Sequence, residues 1–372
     1  MSSVPASNPG SSQAGLSWET TTSVQDIVSR LRAARRVVLL THAKPDGDAA
    51  GSTLALARTL GHIGVSARPW YIGPVPRWLT EIAGQTPIEV VEQGARADGG
   101  RTPEEDPDAV VILDTGSWSQ LTEMRDWLVP RFAQAIVIDH HLHGDADVAG
   151  TKFLGKGEAS TTQVLALICC GLLGCTADKL PTDVAEAIYL GMATDTQWFR
   201  LSNVSSKTLR LAGDLLDAGV IHTRLYEIIE QRDVASRWKL LGRALSTLEL
   251  HHHGAVAIMR LTLKDFADCG ADRNDTSGFA DMVQSVATVQ VSVVITEAEI
   301  APGELPTTKI SMRSRPGPDA VDVNKATKSL GGGGHARAAG AKMVGVTMDQ
   351  ARTRVLEVLK QPVSPGGAEQ SR

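Results

Sequence analysis

The chain reads as an α/β protein: a parallel sheet with helices on both faces, a helical connector, and a smaller second α/β domain. Three observations predict this. Short β-branched runs recur as RVVLLTH, AVVILD and QAIVID, and each ends in a polar, acidic turn. Helical periodicity fills the gaps, as in STLALARTL and TTQVLALICCGLL. After His251 the text changes to strand-like GAVAIMRL, VQVSVVITEAE and TKISMRSR, separated by helix-like GFADMVQSVATV and VDVNKATKSL. Strands alternating with helices build parallel sheets, and such sheets bind ligands outside the carboxyl ends of their strands.

The elements follow in order. Residues 1–22 are rich in Ser, Pro, Gly and Asn and are expected to be a disordered tail. They lack the basic start and apolar core of a signal peptide. Residues 23–219 form the first domain. Within it, RVVLL is a buried strand, THAKPDGDAAGS a bend, and LALARTLGHIG a helix. A helix beginning at Thr182 or Asp183 carries VAEAIYL and runs on to Asp195. The text from Asn203 to Leu250 is mainly helical, charged and amphipathic, and residues 220–250 are the connector. Residues 251–361 make the second domain, and 362–372 a second tail.

Composition narrows the function. The 372 residues carry a formal net charge of −5 with both signs mixed along the chain. That argues against coating long duplex nucleic acid, which needs a broad basic face. It leaves room for a local phosphate pocket. The cysteines Cys169, Cys170, Cys175 and Cys269 form no CxxC pair, so buried thiols in a reducing compartment are expected. No apolar run is long and clean enough to span a membrane, and a cytoplasmic protein without a membrane partner is the expectation.

The strand ends gather acids and imidazoles. His42, Asp46 and Asp48 follow the first strand, Asp114 the next, and Asp139, His140 and His141 another; Asp195 joins from a helix end. A single aspartate after a strand caps a helix or makes an Asx turn. A set of them repels itself unless a cation balances the charge. Oxygen donors mixed with imidazole suit a divalent ion such as Mn²⁺. Four aspartates match the charge of two such ions, and a pair of ions polarises a phosphoryl oxygen. The small residues Gly47, Ala49, Ala50 and Gly51 are expected to let the backbone fold tightly around ions and substrate.

HAKPDGDAAGS, LDTGS, DHH and ATDTQWF, taken in order and spacing, resemble the four motifs of the DHH phosphoesterase family. GGGGHARAAG resembles the glycine-rich signature of the DHH-associated domain. The resemblance covers nearly all of the chain except its tails. Size and layout are most similar to the bacterial oligoribonucleases (nanoRNases) that also act as pAp phosphatases. It implies a two-domain enzyme with its active site in the interdomain cleft. Two divalent ions are implied, most often Mn²⁺, with Mg²⁺ or Co²⁺ as alternatives. By it, His42, Asp46 and Asp114 hold one ion and Asp48, Asp114, His140 and Asp195 the second, with Asp114 bridging. Asp139 orients the imidazoles, and His141 assists departure of the leaving oxygen. Arg313, Gly333, Gly334, His335 and Arg337 hold a substrate phosphate. Short single-stranded RNA or DNA, or pAp, is the implied substrate. Oligomeric state stays open, a homodimer included.

The residues have readings of their own. Four glycines suit a hinge, or a backbone N–H cradle for an anion, and HARAAG a helix entrance favouring phosphate. Arg315 is expected to be solvated, HHHG at 251–254 to be a connector or strand start, and most tryptophans to be packing. Two departures from the family pattern stand out. Ser117 and Gln120 occupy a loop where relatives often carry an acid and an arginine, and Gln197 stands where Gly is frequent. Rival functions are a cyclic dinucleotide phosphodiesterase, a RecJ-like single-strand exonuclease, a manganese pyrophosphatase, or a non-catalytic nucleotide sensor.

Overall fold

The computed structural model describes residues 16–92, 106–298, 305–317 and 320–360. The chain divides into two units, Met1–Gln231 and Arg232–Arg372. The first contains α1 (Val24–Ala33), β1 (Arg36–Leu40), α2 (Gly47–His62), β2 (Ser66–Ile72), α3 (Leu79–Ala83) and β3 (Glu89–Val91). It continues with β4 (Ala109–Leu113), α4 (Arg125–Leu128), β5 (Ala135–Asp139), β6 (Thr151–Leu154), α5 (Thr161–Leu173), α6 (Thr182–Asp195), α7 (Ser206–Asp217) and α8 (His222–Glu230).

The six strands form one sheet in the order β3-β2-β1-β4-β5-β6, parallel throughout. Side chains alternate across it because the strand period is two. Val37, Leu39, Val111 and Leu113 face one core with α1, α2, α5 and α6. Val38, Leu40, Val110 and Ile112 face the other, where single helical turns and α4 contribute Trp118, Leu121, Trp127 and Leu128. Burial on both faces explains why these strands read as continuous apolar runs. Between β1 and β4 the strand order reverses, which opens a crevice at their carboxyl ends.

The small residues of α2 serve helix packing rather than folding around an ion. A Cβ added at Gly51 would lie 2.5 Å from the Ala187 carbonyl oxygen and 2.9 Å from the Gly191 nitrogen, both in α6. Ala49 and Ala50 are fully buried in the same helix. The bulk is missing because two backbones meet there.

The expected N-terminal tail changes as well. Residues 1–15 lie outside the described residues, but 18–21 run beside β6. The Thr21 N–H donates to the Lys152 carbonyl at 2.8 Å, and the Leu154 N–H donates to Thr20 Oγ1 at 3.0 Å. The tail expected at 362–372 is also outside the described residues.

The second unit contains α9 (Ala235–Ser246), β7 (Glu249–His251), β8 (Val256–Leu261), α10 (Leu263–Cys269), α11 (Phe279–Val283) and β9 (Val291–Glu297). It ends with β10 (Thr307–Ser314), α12 (Val323–Lys328), β11 (Gly333–Gly334), β12 (Ala338–Val344) and α13 (Met348–Val358). Its mixed sheet has the order β11-β12-β10-β9-β8-β7, with β8 and β9 parallel. Ile310, Met312 and Val293 pack with α12 and α13 on one face. Phe266, Phe279 and Val294 pack with α9 on the other. The connector is split: α8 belongs to the first unit and α9 to the second. HHHG turns from β7 into β8 with His252 and His253 at positive φ. Among the described residues no helix is long and apolar enough to cross a membrane.

Candidate metal centre

The first unit brings its predicted acids and imidazoles to one edge of the sheet. Asp46 is the N-cap of α2, and its Oδ1 accepts the Asp48 and Ala49 N–H groups at 3.0 and 3.1 Å. That helix start turns His42 Nε2 to within 3.6 Å of both Asp46 Oδ1 and Asp114 Oδ2. His42 Nδ1–H donates to the Ala43 carbonyl at 3.0 Å, which leaves Nε2 as the ring nitrogen on the carboxylate side. Asp114 ends β4 at φ 61, a left-handed conformation that aspartate tolerates better than most residues.

His140 completes a second group. Its Nε2 lies 3.7 Å from Asp114 Oδ1 and 3.5 Å from Asp195 Oδ2, at the end of α6. Its Nδ1–H donates to the Glu158 carbonyl at 3.3 Å. Two sets of three ligands result, His42–Asp46–Asp114 and Asp48–His140–Asp195, each able to hold a metal ion. Asp114 and His140 also pair with His141 in a third set. Every ligand predicted from the sequence lies in one of these groups.

Asp139 and His141 form their own hydrogen-bonded unit. Asp139 Oδ1 accepts the backbone N–H groups of His140 and His141 at 2.7 and 3.1 Å, and His141 Nδ1–H at 2.7 Å. The carboxylate thus fixes the His141 ring directly, but reaches His140 only through its backbone. With Nδ1 so occupied, Nε2 is the His141 ring nitrogen left for another partner. Asp139 Oδ2 is buried without a hydrogen-bond partner.

Several supporting residues escaped sequence reading. Thr161 and Thr162 open α5 and hold the buried Asp48: its Oδ2 accepts the Thr161 N–H at 2.6 Å, and its Oδ1 accepts the Thr162 N–H and Oγ1–H at 3.0 and 2.7 Å. Thr161 Oγ1 also donates to Asp114 Oδ1 at 2.9 Å. Their only local signal is a helix start, TTQ after Ser160. Trp18 donates Nε1–H to the His141 carbonyl at 3.2 Å, and its ring lies over Gly116 and Gly144, the loops that follow Asp114 and His141. Trp198 instead packs on α8: it meets Tyr226 edge-on at 4.7 Å and donates to Glu230 at 2.9 Å. Gln197 takes φ 49, which explains why glycine suits that position.

The electrostatics call for a cation. Burial, then the Asp48 carboxylate, pushes the Asp114 carboxyl well above its ordinary range. Burial also raises Asp48. Burial, then Asp48 and Asp46, pushes Asp195 up to about 8. Burial opposes a charge on His42, but the Asp114 and Asp46 carboxylates outweigh it and lift the imidazole to about 11. The Asp139 carboxylate lifts His141 to about 9. Acids this crowded, with imidazoles turned toward them, fit divalent ions in their chemistry.

Gly191 adjoins this cluster. A Cβ there would lie 2.5 Å from Asp48 Oδ1 and would also strike the Thr162 side chain. Gly191→Ala is expected to destabilise the unit by about 1–3 kcal/mol through overpacking, and so lower Tm by about 3–10 °C. It is also expected to weaken divalent-ion binding in isothermal calorimetry. Unchanged affinity would show that Asp48 keeps its place without this glycine.

The second unit carries the other predicted residues. Arg313 pairs across the ladder with Ala338, and Ser314 N–H donates to the Arg337 carbonyl at 3.0 Å. His335 and Arg337 are exposed. The glycine run differs from expectation. Gly333 and Gly334 pair with Gly340 and Ala339 as a short hairpin, and HARAAG forms its turn and return strand, not a helix entrance. The N–H groups of Gly331, Gly332, Gly334 and His335 bond to Lys328, Thr327, Asn324 and Ala338, so they are not an open cradle. Glycine is needed because strands approach closely: a Cβ at Gly334 would lie 2.6 Å from the Ala338 carbonyl oxygen. Arg315 is half-buried rather than free in solvent; it donates to the Ala287 and Gln284 carbonyls at 2.6 and 2.7 Å.

Comparison with known proteins agrees with both units. The DHH family N-terminal domain matches residues 36–192, and the DHHA1 domain residues 254–364. A Thermus thermophilus protein named bifunctional oligoribonuclease and PAP phosphatase NrnA is 29% identical over 354 residues, covering 94% of this chain and 96% of its own. A Bacillus subtilis protein of the same name is 25% identical, covering 82% and 89%. An exopolyphosphatase-related protein from Bacteroides fragilis has a similar fold, with a TM-score of 0.79, 24% identity, and coverage of 90% and 95%. A manganese-bound RecJ exonuclease shares the fold at a TM-score of 0.54 and 14% identity, covering 96% of this chain and 99% of its own. With its acids at the strand ends and both models matched, the chain carries the DHH family N-terminal domain followed by a DHHA1 domain.

Proposed function

We propose that the protein is a Mn²⁺-dependent cytoplasmic phosphoesterase that hydrolyses short single-stranded oligonucleotides and pAp. One observation carries the proposal: adjacent donor sets, His42–Asp46–Asp114 and Asp48–His140–Asp195, meet where Asp114 stands 3.6 Å from His42 and 3.7 Å from His140. The first set would hold one ion, and the second with Asp114 another. Bound ions supply Lewis acidity toward a phosphoryl oxygen and a water of lowered pKa.

The remaining steps fall to the chain. Thr161 and Thr162 keep Asp48 ionisable by donating to its oxygens. Asp139 locks the His141 tautomer, so a protonated ring offers Nε2–H to the leaving oxygen. The Asp139 carboxylate beside it favours the protonated ring and lifts His141 to about 9 in the metal-free protein. Arg313, His335 and Arg337 hold a second phosphate of the substrate by charge-assisted hydrogen bonds, and Gly333 and Gly334 keep that surface low. A second phosphate contact selects end-bound, short substrates.

The test is turnover with Mn²⁺ on labelled dinucleotide, pentanucleotide, pAp and cyclic di-AMP. The linear substrates and pAp are expected to be cleaved fastest. A cyclic dinucleotide ranked first would replace this substrate class, and no turnover on any of them would end the proposal.

A further inference from the structure

In the second unit, β10 and β12 present a charged face that the described residues leave open. On β10, Lys309, Ser311 and Arg313 point to one side, because alternate residues share a face. Their partners across the ladder on β12 are Lys342, Gly340 and Ala338. The opposite face is closed by α12 and α13. On the Lys309 side, Phe266 of α10 and Phe279 of α11 cover Val294 of β9. A cavity of about 520 Å³ remains there, with Arg273, Asp281, Glu297, Lys309, Arg313 and Lys342 in its wall. Ser311 opposite Gly340 gives it a low floor between two cationic ends.

Among the described residues, two of the cations in this wall stand apart from its acids. Asp281 lies 3.5 Å from Arg313 Nε, and Glu297 accepts the Leu263 N–H at 2.8 Å. The Arg273 guanidinium lies over the Phe266 ring, 4.4 Å from its centroid, and donates to the Glu297 carbonyl at 3.1 Å. Lys309 and Lys342 are exposed and directly opposite, and among the described residues neither ammonium has a side-chain hydrogen bond or ion pair. Like charges directly opposed on a sheet are destabilising. An anion between them removes that penalty.

We propose that this cavity is a phosphate subsite for the oligonucleotide, taking a phosphate further along the strand than the one at Arg313. The inference rests on the proposed function, which makes Arg313 a substrate contact. Lys309 is four residues from Arg313 on one extended strand, about 13 Å away. That separation reaches a longer strand but not the far end of pAp. The subsite therefore distinguishes substrates by length, with Lys309 and Lys342 as point charges on the backbone. Arg273 offers a flat guanidinium face on which a base can stack.

The test uses the full chain with Lys309→Gln and Lys342→Gln together, and the charge-reversed pair Lys309→Glu/Lys342→Glu as a second variant. Fluorescence anisotropy of a labelled pentanucleotide is measured in chelator, so that hydrolysis cannot interfere. The glutamine pair is expected to weaken binding about tenfold. The plot of log K against log salt should become shallower by about 0.7 for each phosphate that the variant no longer neutralises. Turnover of pAp with Mn²⁺ should stay at the wild-type rate. Unchanged pentanucleotide affinity and salt slope would overturn the subsite, as would pAp turnover falling in step with the pentanucleotide. Loss of inorganic phosphate binding with pentanucleotide binding intact would assign the cavity to a free anion instead, and also overturn it. Wild-type protein that hydrolyses nothing in the panel would sink the proposed function alone, since anisotropy reads the cavity independently.

Discussion

Asp114→Asn is expected to lower turnover of pAp and oligonucleotides by about 10³-fold or more. The same change should raise the Tm of the metal-free protein. Among the described residues Asp114 is the one carboxylate within 4 Å of both His42 and His140, at 3.6 and 3.7 Å. By the proposed function Asp114 serves both ions, so losing its charge weakens both sites, and several kcal/mol of transition-state stabilisation at about 1.4 kcal/mol per tenfold in rate gives that factor. Asparagine is the right probe because the residue sits at φ 61. Asn adopts that conformation nearly as readily as Asp, whereas Ala adds backbone strain of about 1–2 kcal/mol. Without metal, and at a pH high enough to ionise the raised Asp114 carboxyl, the neutral amide relieves repulsion from Asp48, the carboxylate that most raises Asp114 after burial. Opposite movement of activity and stability separates a functional charge from a structural one. Activity that persisted in purified Asp114→Asn protein with added Mn²⁺ would sink the two-ion proposal.

All the acids but Asp195, which ends α6, were legible because they follow β-branched runs, and strand ends are where a parallel sheet places its ligands. Their tertiary supports were not. Thr161 and Thr162 read only as a helix start, and their bonds to Asp48 span 113 and 114 residues. Trp18 lies 123 residues from the carbonyl it contacts, in a stretch whose composition signals disorder. Small residues in α2 were visible, but the neighbour requiring them is α6, which no local pattern reveals. HARAAG misled for a related reason: its local propensity permits a helix, and pairing with β10 overrides that choice. Glycines in the run serve a hairpin, and sequence alone does not distinguish a hairpin from an anion cradle.

Adding Mn²⁺ to metal-free protein is expected to raise Tm by about 5–10 °C at a concentration a hundred times Kd. Binding at that saturation stabilises by about 2.7 kcal/mol, and each kcal/mol moves Tm by about 2–4 °C for a unit of this size. The gain should widen with pH. Asp195 has its carboxyl raised from 3.8 to about 8, so the folded state holds that proton more tightly than the unfolded chain. The stability this contributes is complete below pH 4 and is lost as pH rises through 8. His42 at about 11 and His141 at about 9 act with the same sign, losing their contribution above the ordinary histidine value of 6.5. Asp46 and Asp139, both lowered, act oppositely, but only as pH falls below about 4. Metal-free Tm should therefore fall steadily from pH 5 to pH 9. Metal binding displaces those protons, so its affinity climbs over the same range. Differential scanning fluorimetry at several pH values, with chelator or with Mn²⁺, reads both trends at once. Metal-free and Mn²⁺ curves that ran parallel from pH 5 to pH 9 would mean that these acids and imidazoles are not where the ion binds. In Asp114→Asn protein the Mn²⁺ shift should shrink, because the residue near both donor sets no longer carries charge.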